Sequence, residues 1–201
     1  MTIGSNSNEE TRASALSMLD SLDKHMASFH ISEGYTAQDR NQTRFFIDLV
    51  NSFSPKRIME IGFNSGHSSV SLLTASAPNS EVVSFDLGEH YYVDHAKAFV
   101  DTHFPGRHTL IKGNSVETVE KYANDNRARC GDKNAFDLIF IDGGHFSDIP
   151  LRDCINCMRL AGDDCYYRRY CNNEPTPITT MEPFSKLCLD AFMRDGLHVA
   201  N

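Results

Sequence analysis

The sequence predicts an α/β fold: a parallel sheet with helices on both faces. Three observations carry this expectation. Short apolar runs at residues 57–61, 81–86, 108–112 and 135–141 recur along the chain, and segments with helical spacing separate them. The last of these, Phe136-Asp137-Leu138-Ile139-Phe140-Ile141, is apolar enough to be buried on both faces, as parallel strands are. Strand, loop and helix then alternate as a right-handed βαβ series requires.

Before the first strand, Ser7 or Asn8 can cap a helix over residues 9–29, where Leu16, Leu19, Leu22, Met26 and Phe29 form one apolar stripe. The stripe can cover the sheet, form a dimer face or act as a lid. Residues 31–35 form a turn, and a second helix over 37–53 points Phe45, Phe46, Leu49 and Val50 to the core until Pro55 stops it. Further helices are expected over residues 67–75, from about 90 to 103, over 116–126, and up to about Leu160. In the last of these, Leu151, Cys154, Ile155 and Met158 share helical spacing, and Cys154 is expected to face the core. The organisation is thus a covering helix in residues 1–33 and one compact unit in residues 34–201.

The first strand ends in the stretch Glu60-Ile61-Gly62-Phe63-Asn64-Ser65-Gly66-His67-Ser68-Ser69. Gly62 and Gly66 permit backbone conformations and close approach that a Cβ would obstruct, and the helix start that follows favours negative charge. A dinucleotide site would want G-x-G-x-x-G, but Asn64 stands at the second glycine position. Glu60, two residues before Gly62, suits a cationic or amino-bearing ligand better than a phosphate. A nicotinamide-dependent dehydrogenase is therefore disfavoured.

The pattern E-I-G-x-x-x-G resembles motif I of the class I S-adenosylmethionine-dependent methyltransferases. Asp86 ends the second strand about where a ribose-binding acid is expected, and Gly113-Asn114-Ser115 after the third strand resembles the adenine-side turn. Asp142-Gly143-Gly144-His145 after the fourth strand, with Asp153 on the helix beyond, resembles the small-molecule O-methyltransferase branch with an Asp-Gly-x-His turn. The resemblance covers roughly residues 34–164. It implies a Rossmann-like methyltransferase fold with sheet order 3-2-1-4. It also implies an S-adenosylmethionine site of Glu60, Gly62, Asn64, Gly66, Ser68, Asp86, Asn114, Ser115 and Asp142. His145 and Asp142 are its candidate catalytic residues, with His145 as general base. Asp142, Asp163 and Asp164 are its candidate ligands for Mg²⁺ or another hard divalent cation, although Asp163 and Asp164 read equally well as a polar turn.

The C-terminal part departs from that family. Ala161-Gly162 runs directly into Asp163-Asp164, so the fifth strand is expected to be missing, and residues 184–196 read as an amphipathic helix with little chain left for a terminal hairpin. An uncovered sheet edge would invite pairing with another copy.

Composition bounds the partners. At 201 residues the chain suits one domain with a sizeable core. A net charge of -8 and a pI near 5.5 disfavour a nucleic-acid backbone as partner. No apolar run approaches a membrane span and the N-terminus has no signal-peptide character, so a cytoplasmic protein is expected. Of six cysteines, Cys154, Cys157, Cys165 and Cys171 could bind zinc, but free thiols are the default, and helical spacing puts the first pair on a helix with Cys154 facing the core. The leading expectation is methyl transfer from S-adenosylmethionine to an oxygen of a small-molecule acceptor, with or without divalent-metal assistance. The alternative is a catalytically weakened S-adenosylmethionine-binding protein acting through self-association as a homo-oligomer.

Overall fold

The computed structural model describes residues 4–31, 40–127, 136–144 and 146–169. In chain order, α1 (Gly4–Met26) and α2 (Arg40–Phe53) precede β1 (Arg57–Ile61), α3 (His67–Ala75), β2 (Glu81–Asp86) and α4 (Val93–His103). There follow β3 (His108–Lys112), α5 (Ser115–Arg127), β4 (Phe136–Ile141), α6 (Ile149–Met158) and β5 (Ala161–Arg169). All strand pairs are parallel, in the order β3-β2-β1-β4-β5.

The expected order 3-2-1-4 holds, and the fifth strand expected to be missing is present. Ala161-Gly162-Asp163-Asp164, read as a polar turn, is instead the first part of β5. Phe136 pairs with Ala161 and Leu138 with Tyr166, so β5 carries an irregular stretch there before regular pairing resumes through Ile141 and Arg169. Asp163 and Asp164 fall inside that irregularity, which is why strand alternation could not be read across them. The expected helix at residues 184–196 and the expected absence of further strands lie outside the described residues.

Strand periodicity divides the core into two layers. Ile58, Val82, Leu138 and Phe140 face one side, where they meet Leu19, Leu22 and Met26 of α1, Phe46 and Val50 of α2, Val70 of α3 and Phe99 of α4. Met59, Ile61, Val83, Phe85, Ile139 and Ile141 face the other, against Val119 and Ala123 of α5 and Cys154 and Cys157 of α6. The apolar stripe of α1 therefore buries in the same core as the sheet. At about 25 cal/mol per Å² of apolar surface, its three buried side chains anchor the helix by several kcal/mol before entropy is counted.

The helix α6 differs from its expected face. Cys154 is buried as expected, but Ile155 and Met158 are exposed, and the inward side consists of Pro150, Asp153, Cys154 and Cys157. The helical period matches, but the buried face is rotated to include Asp153 and Cys157. At the opposite end of the sheet, Asp137 Oδ2 accepts the N–H groups of Lys56 at 2.7 Å and Arg57 at 2.9 Å, which fixes the start of β1 against β4.

Candidate functional site

Because the strands are parallel, the loops after β1, β2, β3 and β4 open on one rim of the sheet, where ligands of open α/β sheets bind. The loop after β1 runs in an alternating conformation, with positive φ at Gly62 (98°), Asn64 (46°) and Gly66 (83°). A Cβ at Gly62 would stand 2.2 Å from the carbonyl oxygen of Asp142, so the close approach of β1 and β4 requires glycine there. Gly66 precedes α3 directly, and no side chain caps the start of that helix. The start of α3 carries the positive end of the helix dipole, which favours negative charge nearby.

Asp86, at the end of β2, holds this loop. Its Oδ2 accepts the N–H of Phe63 at 3.0 Å and of Asn64 at 2.9 Å, while Oδ1 accepts the N–H of Gly88 at 2.7 Å. Oδ1 accepts only one of these N–H groups, and a carboxylate oxygen can accept a second hydrogen bond. Asp142 lies across the loop from Asp86, at the end of β4, where its N–H donates to Ile61 O at 2.8 Å. Asn114 sits after β3 and caps α5, its Oδ1 accepting the N–H of Val116 at 3.1 Å. Ser115 is the first residue of α5. Neither carboxylate oxygen of the buried Asp153 has a hydrogen-bond partner among the described residues, and burial pushes this carboxyl up to about 6. Asp153 lies under the turn after β4: a Cβ built on Gly143 would be 3.4 Å from its Oδ2.

Two expected cofactor residues lie deeper than the sequence suggested. Glu60 is fully buried, and its side chain points beneath α3 instead of fronting the loop. Ser69 Oγ donates to its Oε2 in a short hydrogen bond, and Ser84 Oγ donates to the same oxygen at 2.6 Å. His108 Nε2 is 2.9 Å from Ser84 Oγ, and Phe63 stacks on the His108 ring with centroids 5.1 Å apart. Burial raises the Glu60 pKa to about 7 against the opposing effect of Ser68, Ser69 and Ser84. It lowers that of His108 to about 4. Ser68 is buried on the same side. Strand alternation accounts for this: Glu60 shares the face of Ile58, which packs toward the helices.

The three acids expected to bind metal are not brought together. Asp142 follows Ile141, whose partner on β5 is Arg169, whereas Asp163 and Asp164 lie near the start of β5. The five residues from Asp164 to Arg169 place about 16 Å of strand between that acid and the rim. Among the described residues no group of three His, Cys, Asp or Glu side chains is arranged to hold a metal ion. His145 and Cys171 lie outside the described residues, as does the side chain of Cys165.

Residues 59–167, spanning the first strand, the loop and the rim from β2 to β5, match the model of a methyltransferase domain. The chain belongs to the methyltransferase-domain family. No curated protein matches it in sequence. Among solved structures, this methyltransferase domain is similar to the O-methyltransferase from Bacillus cereus in complex with SAH. That match has a TM-score of 0.59 and 18% identity over 78% of this chain and 65% of that one. It is also similar to the SAH-bound methyltransferase PaMTH1 of Podospora anserina, with TM-score 0.57 and 17% identity over 84% of this chain and 71% of that one. A third is the O-methyltransferase TomG from Streptomyces achromogenes, involved in tomaymycin synthesis and in complex with SAM. Its TM-score is 0.57 and its identity 18%, over 77% of this chain and 64% of that one. At these identities the likeness establishes a common fold, and the chain spans about two thirds of the length of these structures.

Sequence reasoning missed a buried set behind the methyltransferase loop. Ser65, His67, Ser69, Ser84 and His108 are all buried polar residues. The available signal was the run Ser65-Gly66-His67-Ser68-Ser69, too polar for the start of a helix that packs inside two layers.

Proposed function

We propose that this methyltransferase domain binds S-adenosylmethionine at the rim above β1 and transfers its methyl group to an oxygen of a small-molecule acceptor. The observation that carries the reading is the pairing of Asp86 with the loop after β1. A carboxylate at the end of β2 accepts two consecutive loop N–H groups through Oδ2, while its Oδ1 accepts one and can accept another. The uncapped start of α3 supports the same reading, because it suits the carboxylate of an amino acid moiety.

When bound, S-adenosylmethionine supplies an electrophilic methyl group on a sulfonium. The protein then has to orient the acceptor in line and accept its proton. In this reading Gly62, Asn64 and Gly66 shape the bed of the amino acid moiety. Asp86 receives the ribose, and Asn114 and Ser115 flank the base. Glu60 and Ser68 support the bed from below. Asp142 borders the acceptor side, and His145 is the proposed base. Leu87 and Phe146, both exposed beside the rim, add apolar surface suited to a small organic acceptor. The register of β5 keeps Asp163 and Asp164 away from Asp142, which does not fit the three-acid metal set.

No helix among the described residues is long and apolar enough to cross a membrane. A cytoplasmic location and a small-molecule partner belong to the same proposal. Calorimetric titration of the chain with S-adenosylmethionine, S-adenosylhomocysteine and NAD, with and without Mg²⁺, tests it. Binding of the first two and not NAD is expected; binding of NAD alone would sink the reading.

A second reading is favoured by β5, which among the described residues pairs only with β4. A strand of nine residues with one open side can pair with a second copy, giving a cofactor-binding homo-oligomer of low turnover. Light scattering combined with a methyl-transfer assay separates the two: a monomer with ordinary turnover would reject the second.

A further inference from the structure

Beneath the loop after β1 runs a set of contacts that the cofactor assignment does not use. Ser65 Oγ lies 2.8 Å from His67 Nδ1, and His67 Nε2 lies 2.9 Å from Asp23 Oδ1 on α1. Ser65 and His67 are 1% and 2% exposed, whereas Asp23 is 30% exposed at the outer layer. One hydrogen pattern satisfies all three groups with a neutral ring: Nε2–H donates to the Asp23 carboxylate, and Nδ1 accepts from the Ser65 hydroxyl. Burial lowers the His67 pKa while Asp23 opposes it. A serine, a histidine and an aspartate in series could suggest a hydrolase, but Ser65 is closed to any substrate. What the series does connect is the covering helix to the crest of the loop.

That connection has a physical task. Asn64 adopts φ 46° between two glycines of positive φ, a left-handed conformation that asparagine enters more readily than most residues but that neighbouring contacts can still favour or release. Asp86 favours it from the β2 side through the N–H groups of Phe63 and Asn64. Ser65 is the next residue, and its side-chain contact with His67 leads on to Asp23 of α1.

We propose that Asp23, His67 and Ser65 form a positioning relay through which α1 holds the Gly62–Gly66 loop in its ligand-accepting conformation and thereby sets affinity for the adenosyl cofactor. The inference rests on the cofactor reading above for its ligand, and on the contacts alone for its effect on the loop. Losing one anchor lets the loop populate other conformations, and apparent affinity falls by the fraction that remains competent.

The test is a double-mutant cycle on the full chain, read by titration with S-adenosylhomocysteine and by amide hydrogen exchange without ligand. Asp23→Ala and Ser65→Ala should each weaken binding by about fivefold or more, and the double variant should be no weaker than the worse single one. Asp23→Asn should bind as the parent chain does, because its Oδ1 still accepts from Nε2–H. Lys24→Ala, exposed on the same helix, is the control. In the unliganded chain, the amides of Asn64 and Gly66, bonded to Asp86 Oδ2 and Phe63 O, should exchange faster in Asp23→Ala and not in Asp23→Asn. Additive losses in the double variant, or unchanged exchange in a folded Asp23→Ala, would overturn the relay. If the parent chain binds no S-adenosylhomocysteine, the cofactor reading fails, and the exchange rates alone decide the relay.

Discussion

The carbonyl oxygen of Asp142 occupies the space that a side chain at Gly62 would need, 2.2 Å from the ideal Cβ position. Two chemically distinct parts of the rim, the loop after β1 and the turn after β4, are therefore in backbone contact. Gly62→Ala should destabilise the chain by more than about 2 kcal/mol, since strain at φ 98° adds to a backbone clash. Gly106→Ala is the comparison, because its φ is 73° but nothing lies within 4 Å of its Cβ position. Urea denaturation of both variants checks this. Equal losses would mean that the approach of β1 to β4 carries no cost.

Asp86 makes a different prediction. Asp86→Ala should weaken S-adenosylhomocysteine binding by about 1–3 kcal/mol, the range for a lost buried hydrogen-bond partner. Calorimetry on the folded variant measures it. Unchanged affinity would remove both the ribose assignment and the role of Asp86 in shaping the loop.

The buried carboxyl of Glu60 should leave a mark on stability against pH. Its pKa is about 7 in the folded chain and 4.5 ordinarily, so between those values the folded state binds the proton and the unfolded state does not. Stability from this group is thus greatest below pH 4.5 and falls as pH rises toward 7, with a limiting slope of about 1.4 kcal/mol per pH unit. His108 acts in the opposite sense: its lowered pKa makes stability fall as pH drops from 6.5 toward about 4. Glu60→Gln should remove the first slope and leave the second. Denaturation at several pH values checks this, and parallel profiles for the parent chain and Glu60→Gln would show that Glu60 is charged in the fold.

The separation of Asp142 from Asp163 and Asp164 can be tested by catalysis. With a catechol-like or sugar hydroxyl acceptor, Asp142→Ala should abolish methyl transfer if Asp142 holds a divalent ion, and an undiminished rate would reject that role. Asp163→Ala and Asp164→Ala should leave any Mg²⁺ dependence as in the parent chain. A lost ion requirement in either of the latter variants would restore the three-acid metal site.

Much of this architecture was legible because it follows local chemistry. The strand ending at Ile61, the glycine turn and the acid at Asp86 are set by backbone and periodicity rules that act within a few residues. The strand β5 was not legible, because its first residues pair irregularly and bear two acids, which breaks the alternation by which strands are read. Glu60 was identified as important but assigned the wrong surroundings. Its distance from Gly62 along the chain is fixed by sequence, whereas the face it points to depends on what α3 covers. The Asp23–His67–Ser65 contacts span 44 residues from α1 to α3, and no sequence pattern announces a pairing of that range.

The hydrogen bonds made by Asp137 and Asp86 give the sheet a fixed origin. Asp137 takes the amides of Lys56 and Arg57, and Asp86 takes those of Phe63 and Asn64, so one oxygen from each neighbouring strand grips a pair of consecutive amides at either end of β1. The span between the two grips works as a gauge block of set length. Inserting or deleting one residue within it cannot be absorbed by sliding, because a one-residue slip would break a grip and turn every side chain of β1 to the opposite layer. A change of length inside that span thus carries a penalty that a change in the loops outside it does not, and the rim keeps its geometry when only the outer segments vary.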